Sequence, residues 1–396
     1  MSDPVLVSNW NYPTRIWFGP GRIADLAAGC GEIGIERPLI VSDPFFSSLP
    51  VMAEIRASLA SHGIESGLFD RLQGNPTSKN LDDGIAAFRA GGHDSVIAIG
   101  GGSALDVGKT VAFMVAQARP VWEFEDIGTL WRAARTDGIA PIIAVPTTSG
   151  TGSEVGRATV ITNDATHEKK IIFHPQMLPR LVIADPGLTL GLPPVLTAGT
   201  GMDALAHNLE AYCAPSYHPM ADAIAIEGMR PLKLWLPVAV AEGGNMPSTA
   251  DAARLFMAAA SMGGTSFQKG LGAIHALSHP IGSVYGFHHG LTNAVLMPYV
   301  IDFNRAAIED KMGHLARCLG LPDDAASGTD RVLRWVLALR RETGIPHTLS
   351  EFGVKREDFG RIADASLTDP TAGTNPVPLT REGSLQMLEA AYSGSI

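Results

Sequence analysis

Ser95-Val-Ile-Ala-Ile-Gly-Gly-Gly-Ser-Ala-Leu-Asp106 is the stretch that decides the fold. Its first five residues form a short, continuous apolar run, which is typical of a buried strand, and three glycines follow directly. Similar runs occur at 37–43, 140–145 and 181–184, and segments with helical spacing lie at 52–62 and 81–90. Continuous apolar strands that alternate with helices predict a parallel sheet covered on both faces.

The second half of the chain has a different character, because strand-like runs nearly vanish after Leu192-Pro-Pro194. The spacing of apolar residues predicts helices over 195–212, 219–239, 248–266, 272–285, 291–304, 306–319 and 327–343. We therefore expect an α/β domain at 1–189 and an all-helical domain at 190–396. A site at such a junction would be a common arrangement.

The composition of the 396-residue chain excludes several classes of partner and site. Its 40 acidic and 30 basic residues give a net charge of -10, which disfavours nucleic acid or an anionic membrane as the main partner. The three cysteines are far apart and form no Cys-x-x-Cys pair, so neither a disulfide framework nor a thiolate zinc cluster is expected. No secretory leader and no apolar run of about 18 residues is found, so a cytoplasmic location is expected.

The glycine turn at 100–103 predicts a phosphate site. Glycines let a ligand approach the backbone closely, and the start of the following helix offers N–H groups and a positive dipole end. Ser103, with Asp106 three residues later, fits a capping box for that helix. A tight strand–helix turn without a ligand explains the same residues, so both interpretations stay open.

Two other polar segments follow predicted strands. Asp43 ends the run at 37–43, where ligand-facing residues lie in open α/β sheets, and its carboxylate would bond a ribose 2′-hydroxyl and repel a 2′-phosphate. An N-cap for the next helix is the alternative for Asp43. Pro146-Thr-Thr-Ser-Gly-Thr-Gly-Ser-Glu154 concentrates hydroxyls and amides that suit a nucleotide, or alternatively form a polar turn.

A cluster of histidines points to a metal ion. Four of the 12 histidines lie within one short window: His275, His279, His288 and His289. Upstream, Asp203 and His207 are four residues apart on a predicted helix, as are His275 and His279, so each pair shares a face. One carboxylate with several imidazoles suits Fe²⁺ or Zn²⁺ better than Mg²⁺ or Ca²⁺. Spacing alone does not say which histidines bind, and a non-ligand histidine near the ion would serve as a proton relay.

Four motifs, in chain order, resemble the iron-containing (group III) alcohol dehydrogenases. They are GGGSALDVGK at 100–109, PTTSGTGSE at 146–154, TGMDALAH at 200–207, and HALSHPIG at 275–282 with HG at 289–290. The resemblance extends over about residues 11–300 and implies a dehydroquinate synthase-like architecture, with a dinucleotide-binding domain, a helical domain and a metal in the cleft. It also implies reversible hydride transfer between NAD(H) and a primary alcohol or aldehyde, in a homo-oligomer.

The resemblance also assigns site residues by position. The implied metal ligands, for Fe²⁺ with Zn²⁺ as the alternative, are Asp203, His207, His275 and His289. His279 matches a non-ligand histidine that would pass the proton. The implied cofactor side comprises Asp43, which favours NAD over NADP, together with Asn75, Gly101, Gly102, Ser103, Asp106, Thr147, Thr148, Thr151 and Lys170. The adjacent Lys169 leaves the cofactor-facing lysine open.

Other functions remain alternatives at this point. They are a zinc-dependent polyol or hydroxy-acid dehydrogenase of the same superfamily, a maleylacetate reductase-like enzyme, and a nucleotide-binding protein with a structural metal. The window 272–290 contains no Lys or Arg, which argues against a phosphorylated or polycarboxylate substrate. Maleylacetate reductase-like proteins generally lack the full ligand set, whereas all four candidates are present here.

Overall fold

The computed structural model describes residues 14–166, 168–241 and 250–396, without the side chains of 250–256. The chain divides into two compact units. One contains the described residues up to Thr148 together with Gly152–Leu190, and the other contains Ser149–Thr151 and the described part of Gly191–Ile396. The domain boundary predicted between residues 189 and 190 stays a prediction, because compactness does not test independent folding.

The first unit is built on a parallel sheet, so the predicted fold class is confirmed. Its strands are β1 (Arg15–Phe18), β2 (Pro38–Ser42), β3 (Gly67–Phe69), β4 (Ser95–Gly100), β5 (Ile142–Pro146), β6 (Ala158–Asn163), β7 (Glu168–Phe173) and β8 (Leu181–Ala184). Six of them form a parallel sheet in the order β1-β8-β5-β4-β2-β3, and β6 and β7 form an antiparallel pair. Its helices are α1 (Leu26–Ile33), α2 (Pro44–Ser47), α3 (Pro50–Ser61), α4 (Ser78–Ala90) and α5 (Gly102–Met114).

The strands found from sequence are those that are covered on both faces. Every residue of β2, β4, β5 and β8 is buried, which requires a continuous apolar run. The strands that the sequence did not reveal, β1, β3, β6 and β7, are short or half-exposed. Helix α5 packs closely on β4, because Gly108 has no side chain and a Cβ there would lie 2.7 Å from the Cβ of Ala98.

The second unit is helical, as predicted. Its helices are α6 (Pro194–Cys213), α7 (Pro219–Ala241), α8 (Ala250–Ser266), α9 (Ala273–Tyr285), α10 (His289–Phe303), α11 (Arg305–Cys318), α12 (Gly328–Glu342), α13 (Leu349–Phe352), α14 (Phe359–Ser366) and α15 (Arg381–Ser393). The first seven match predicted helices to within about two residues where both ends are described, whereas the last three were not predicted. Among the described helices, none is long and apolar enough to cross a bilayer.

Helix α6 is the central helix of this unit. All of its residues from Thr197 to Cys213 are buried, although Asp203, His207 and Glu210 are among them. Buried polar side chains in native proteins almost always have partners. The three share one helical face by their spacing, so they face the same neighbouring helices and can form one polar site.

Candidate metal and nucleotide sites

The carboxyl ends of three neighbouring strands lie at one edge of the sheet. In the parallel register, Ser42 at the end of β2 pairs with Ile99 of β4, and Gly100 pairs with Pro146 at the end of β5. The residues that follow these strands, including Asp43 and Thr147, therefore meet at the same edge. This is where ligands bind in open parallel sheets.

The glycine turn lies at this edge and begins α5 without a side-chain cap. The N-cap residue is Gly101, and Ser103 lies inside the first turn, so the predicted Ser103 capping box is wrong. Gly100 takes a φ of 148°, and a Cβ there would lie 2.7 Å from the Ala104 Cβ and 3.0 Å from Asp43 Oδ2. The first turn of α5 thus presents backbone N–H groups without a capping side chain, which fits a phosphate group.

Asp43 is the N-cap of α2, and its predicted contact with a ribose stays a prediction. Its Oδ1 accepts a hydrogen bond of 2.9 Å from the backbone N–H of Phe46 and so caps α2. Its Oδ2 faces Gly100, as the close approach of a Cβ built there shows. One oxygen therefore holds the helix start, and the other lies beside the glycine turn, where a ribose hydroxyl would be bound.

The three threonines predicted to contact the cofactor belong to different units: Thr147 and Thr148 to the first, and Thr151 to the second. The backbone N–H of Thr147 donates to Gly100 O at 3.0 Å, and the side chain of Thr148 would lie 3.2 Å from a Cβ at Gly101. Thr151 groups with the helical unit. Asn75 has a φ of 56°, a conformation that Asn adopts more readily than most residues. The cofactor roles of these residues stay predictions.

Asp106 is engaged within the protein. Its Oδ1 accepts from Ser153 Oγ at 2.5 Å and its Oδ2 from the Val160 N–H at 2.9 Å. Lys109, fully buried, lies with Nζ within 2.8–3.2 Å of four oxygens, among them Ser153 Oγ and Ala158 O. Burial lowers the pKa of Lys109 to about 8, against the opposing charge of Asp106. The pair therefore ties α5 to the chain after β5, and direct cofactor contact by Asp106 stays a prediction.

The two adjacent lysines of β7 point to opposite faces, as neighbours on a strand must. Lys170 Nζ lies 3.1 Å from Glu168 and 3.3 Å from Glu125, so two carboxylates already hold it. The charge of Lys169 acts on Asp106 and helps to lower its pKa, although burial raises that pKa overall. Lys169 is therefore near enough to Asp106 to act on its charge, and the predicted cofactor contact of Lys170 stays a prediction.

Three of the four predicted metal ligands come together in the helical unit. Asp203 from α6, His275 from α9 and His289 from α10 each offer a ligand atom, and these atoms all lie within 4.8 Å of one another. The Asp203 Oδ1 to Nε2 distances are 3.5 Å for His289 and 3.9 Å for His275. The His289 side chain is 25% exposed, against 4% for Asp203 and 1% for His275. The cluster is therefore accessible from the side of His289.

His207 lies beside these three ligands. Its Nε2 is 3.9 Å from Asp203 Oδ1, and its ring stacks on that of His275 with centroids 4.7 Å apart. Burial lowers the pKa of His207 to about 4, although the charge of Asp203 opposes this. The imidazole is thus neutral at physiological pH, the form in which a histidine binds a metal.

Glu210 fixes the orientation of His275, and the sequence analysis did not single it out. Its Oε2 lies 2.5 Å from His275 Nδ1, and its Oε1 accepts from the Ile274 N–H at 2.6 Å. With Nδ1 donating to the carboxylate, the lone pair of His275 Nε2 points to the cluster, as in the carboxylate–histidine arrangement of metal sites. The signal was its spacing, since Glu210 follows Asp203 by two helical turns on the same face.

His279 also has a carboxylate partner that the sequence did not reveal. Its Nδ1 lies 2.7 Å from Asp369 Oδ2, and its ring stacks on His289 with centroids 5.2 Å apart. Asp369 Oδ1 accepts from both the N–H and the hydroxyl of Thr371. Burial raises the pKa of Asp369, but His279 and Thr371 outweigh it and lower that pKa to about 2.

A pH-dependent stability difference should follow from Asp369. A carboxyl with a pKa near 2 in the folded state and about 3.9 when unfolded stabilises the fold above that unfolded value. This stability, about 2 kcal/mol, is lost as the pH falls from about 5 to about 2. We expect Asp369→Asn to be less stable than the wild type near neutral pH and to lose less stability on acidification. Urea unfolding of the metal-free proteins across this pH range measures it.

The control for this measurement is Asp364→Asn on α14. Asp364 pairs with Arg381 at 2.7 Å, but its side chain is 61% exposed, and exposed pairs contribute little. This variant should follow the wild-type pH profile. Identical profiles for Asp369→Asn and the wild type would contradict the prediction.

Phe267, Phe287 and Arg157 lie close in sequence to the predicted site motifs. Phe267 packs against His207 with ring centroids 5.3 Å apart, whereas Phe287 stacks on Tyr285. Arg157 belongs to the first unit and lies over the ring of Phe173. Phe267 thus contacts a predicted metal ligand.

Comparisons with known proteins agree along nearly the whole chain. A family model for iron-containing alcohol dehydrogenase matches residues 13–186, and one for the C-terminal part of the Fe-containing alcohol dehydrogenase family matches residues 197–392. The chain is 38% identical over 389 residues to a 4-hydroxybutyrate dehydrogenase of Cupriavidus necator, covering 96% of this chain and 98% of the relative. It is 31% identical to an NAD-dependent methanol dehydrogenase of Bacillus methanolicus, covering 97% and 100%. A crystal structure of a 1,3-propanediol oxidoreductase matches with a TM-score of 0.91 at 32% identity, covering 97% and 100% of the two chains.

Proposed function

The chain belongs to the iron-containing alcohol dehydrogenase family, and we propose that it interconverts primary alcohols and aldehydes with NAD(H) and Fe²⁺. It is an oxidoreductase that acts on CH–OH groups, as its relatives are. The observation that carries the proposal is the convergence of one carboxylate and two imidazole ligand atoms within 4.8 Å. Because the chain matches the alcohol dehydrogenase family, the reaction assigned to this cluster is the oxidation of an alcohol.

The donor set fits a divalent first-row ion. One carboxylate oxygen with imidazole nitrogens suits Fe²⁺ or Zn²⁺, and Asp203, His207, His275 and His289 would hold the ion. When bound, the ion would supply Lewis-acid polarisation of the alcohol oxygen, and NAD would be the hydride acceptor. Glu210 orients His275, and burial keeps His207 neutral, so the protein presents these ligands ready to bind.

The remaining residues bind the cofactor and handle the proton. The N–H groups at the start of α5 would bind the pyrophosphate, and Asp43 would bind the ribose and repel a 2′-phosphate, which favours NAD over NADP. His279, held through Nδ1 by Asp369, keeps Nε2 for accepting the proton that leaves the alcohol.

Metal removal and reloading test this proposal. The metal-free protein should stay folded but inactive, and Fe²⁺ should restore alcohol-dependent NADH formation, with Zn²⁺ less effective. NAD should give a higher kcat/KM than NADP. Full alcohol oxidation by the metal-free protein would contradict the mechanism, and unfolding on metal removal would favour a structural metal.

The identity of one relative gives a second candidate for the substrate. 4-Hydroxybutyrate, on which the Cupriavidus necator relative acts by its name, is itself a primary alcohol with a distant carboxylate. The assay should therefore compare linear primary alcohols, diols and ω-hydroxy acids. A kcat/KM that is highest for the hydroxy acids would favour hydroxy-acid dehydrogenase activity over a simple alcohol dehydrogenase.

The assembly and the location of the protein are also expected from its family. We expect a homo-oligomer, a dimer or larger, in the cytoplasm, and a small-molecule alcohol or aldehyde as the substrate. Light scattering of the purified protein measures its assembly.

A further inference from the structure

Asn293 lies at the centre of the predicted metal ligands. It follows His289 by four residues on α10, so the two share one helical face, and it is fully buried. Its Nδ2 is 2.8 Å from Asp203 Oδ1, 3.1 Å from His289 Nε2 and 3.3 Å from His275 Nε2. Nothing in the sequence analysis singled this residue out.

The contact to Asp203 differs in kind from the two contacts to imidazoles. An imidazole nitrogen has a single lone pair, which a metal ion would use, whereas a carboxylate oxygen has further lone pairs. Asp203 Oδ1 can therefore bind an ion and accept from Asn293 at the same time. Hydrogen bonds to charged acceptors are also the stronger kind.

Asn293 donates a short hydrogen bond of 2.8 Å to the Asp203 side chain. The carboxylate otherwise faces imidazoles at 3.5–3.9 Å. Removing Asn293 would therefore remove a donor that fixes the Asp203 side chain in the rotamer that brings its oxygen to the histidines.

The other end of the amide supports a role for the N–H group. Asn293 Oδ1 is buried and has no hydrogen-bond partner among the described residues. A buried, unpaired carbonyl oxygen is unfavourable, and a leucine would fill similar space without it. The contribution of the amide at this position therefore lies in the hydrogens of Nδ2.

We propose that Asn293 is a positioning residue that holds the Asp203 carboxylate in its metal-binding orientation and thereby sets the affinity of the site for a divalent ion. This inference rests on the proposed function, because it takes the cluster to be a metal site. Residues that orient metal ligands typically change metal affinity by about 10- to 100-fold when replaced.

The test measures Co²⁺ binding to the metal-free, full-length protein. Asn293→Leu and the smaller Asn293→Ala should each raise the Co²⁺ dissociation constant at least about tenfold, measured by competition with a chromogenic chelator. The visible bands of bound Co²⁺ should shift, because the carboxylate ligand is displaced. Asn293→Ala keeps the test available if the leucine variant does not fold, and the thermal midpoint without metal reports folding.

Thr292→Val is the matched control. Thr292 neighbours Asn293 on α10, is equally buried, and donates its hydroxyl to His288 O. Removing that hydroxyl deletes a buried hydrogen bond without touching Asp203, so Co²⁺ affinity and spectrum should equal those of the wild type. If the Asn293 variants also match the wild type in both, this inference is wrong while the metal site stands. If the wild type binds no Co²⁺, the metal site fails and this inference with it.

Discussion

His275→Ala is expected to lose both metal binding and turnover. The change removes one of the predicted ligands and leaves the buried Glu210 carboxylate without its imidazole partner. Lewis-acid stabilisation contributes several kcal/mol to the transition state, so its loss should lower kcat by about 10³-fold or more. Metal content after dialysis and steady-state NADH formation with a primary alcohol measure the two effects.

His279→Ala, one helical turn further along α9, is the control for this variant. As a non-ligand, His279 should be dispensable for metal binding but needed for proton transfer, so this variant should keep its metal and turn over slowly. Loss of metal from both variants would mean that His279 also binds it. Normal metal content in His275→Ala would contradict the predicted ligand set.

Gly290→Ala is expected to damage both the fold and the metal site. A Cβ at Gly290 would overlap the carbonyl oxygen of Gly199 on α6 and lie 2.9 Å from the Cβ of Asp203. Backbone atoms cannot rotate away, so α10 must move relative to α6. We expect a loss of about 3 kcal/mol in the free energy of unfolding, at the upper end for overpacked cores. Because the move separates His289 from Asp203, metal affinity should fall as well.

Gly313→Ala supplies the comparison. Gly313 lies within α11, and the nearest atom to a Cβ built there is Arg317 Nη1 at 3.7 Å, an ordinary contact. Alanine is favoured over glycine in helices, so this variant should be unchanged or more stable by up to about 1 kcal/mol. Denaturant unfolding of the two metal-free variants measures the difference. Equal stability would show that α6 and α10 tolerate separation.

Local chemistry made much of the fold predictable. The buried strands β2, β4, β5 and β8 carry continuous apolar runs because both of their faces are covered. The strands that were missed are short or half-exposed, so their side chains carry little pattern. The capping-box spacing predicted Ser103 as the N-cap of α5, but the N-cap is Gly101, two residues earlier.

The sequence by itself determined the residue types of the site and their local grouping. Asp203 with His207, and His275 with His279, share helical faces because four residues make about one turn, and this holds wherever the helices go. The glycine turn after β4 was also predictable locally, because the three glycines directly follow a continuous apolar run.

Only the tertiary structure decided which atoms those residues meet. Glu210 and His275 are 65 positions apart, and Asp369 and Asn293 each lie 90 positions from their partners. Helical spacing states which side chains share a face, but not which face of another helix lies opposite. That choice depends on close contacts such as Gly290 against Gly199, which arise only when the separate helices pack together.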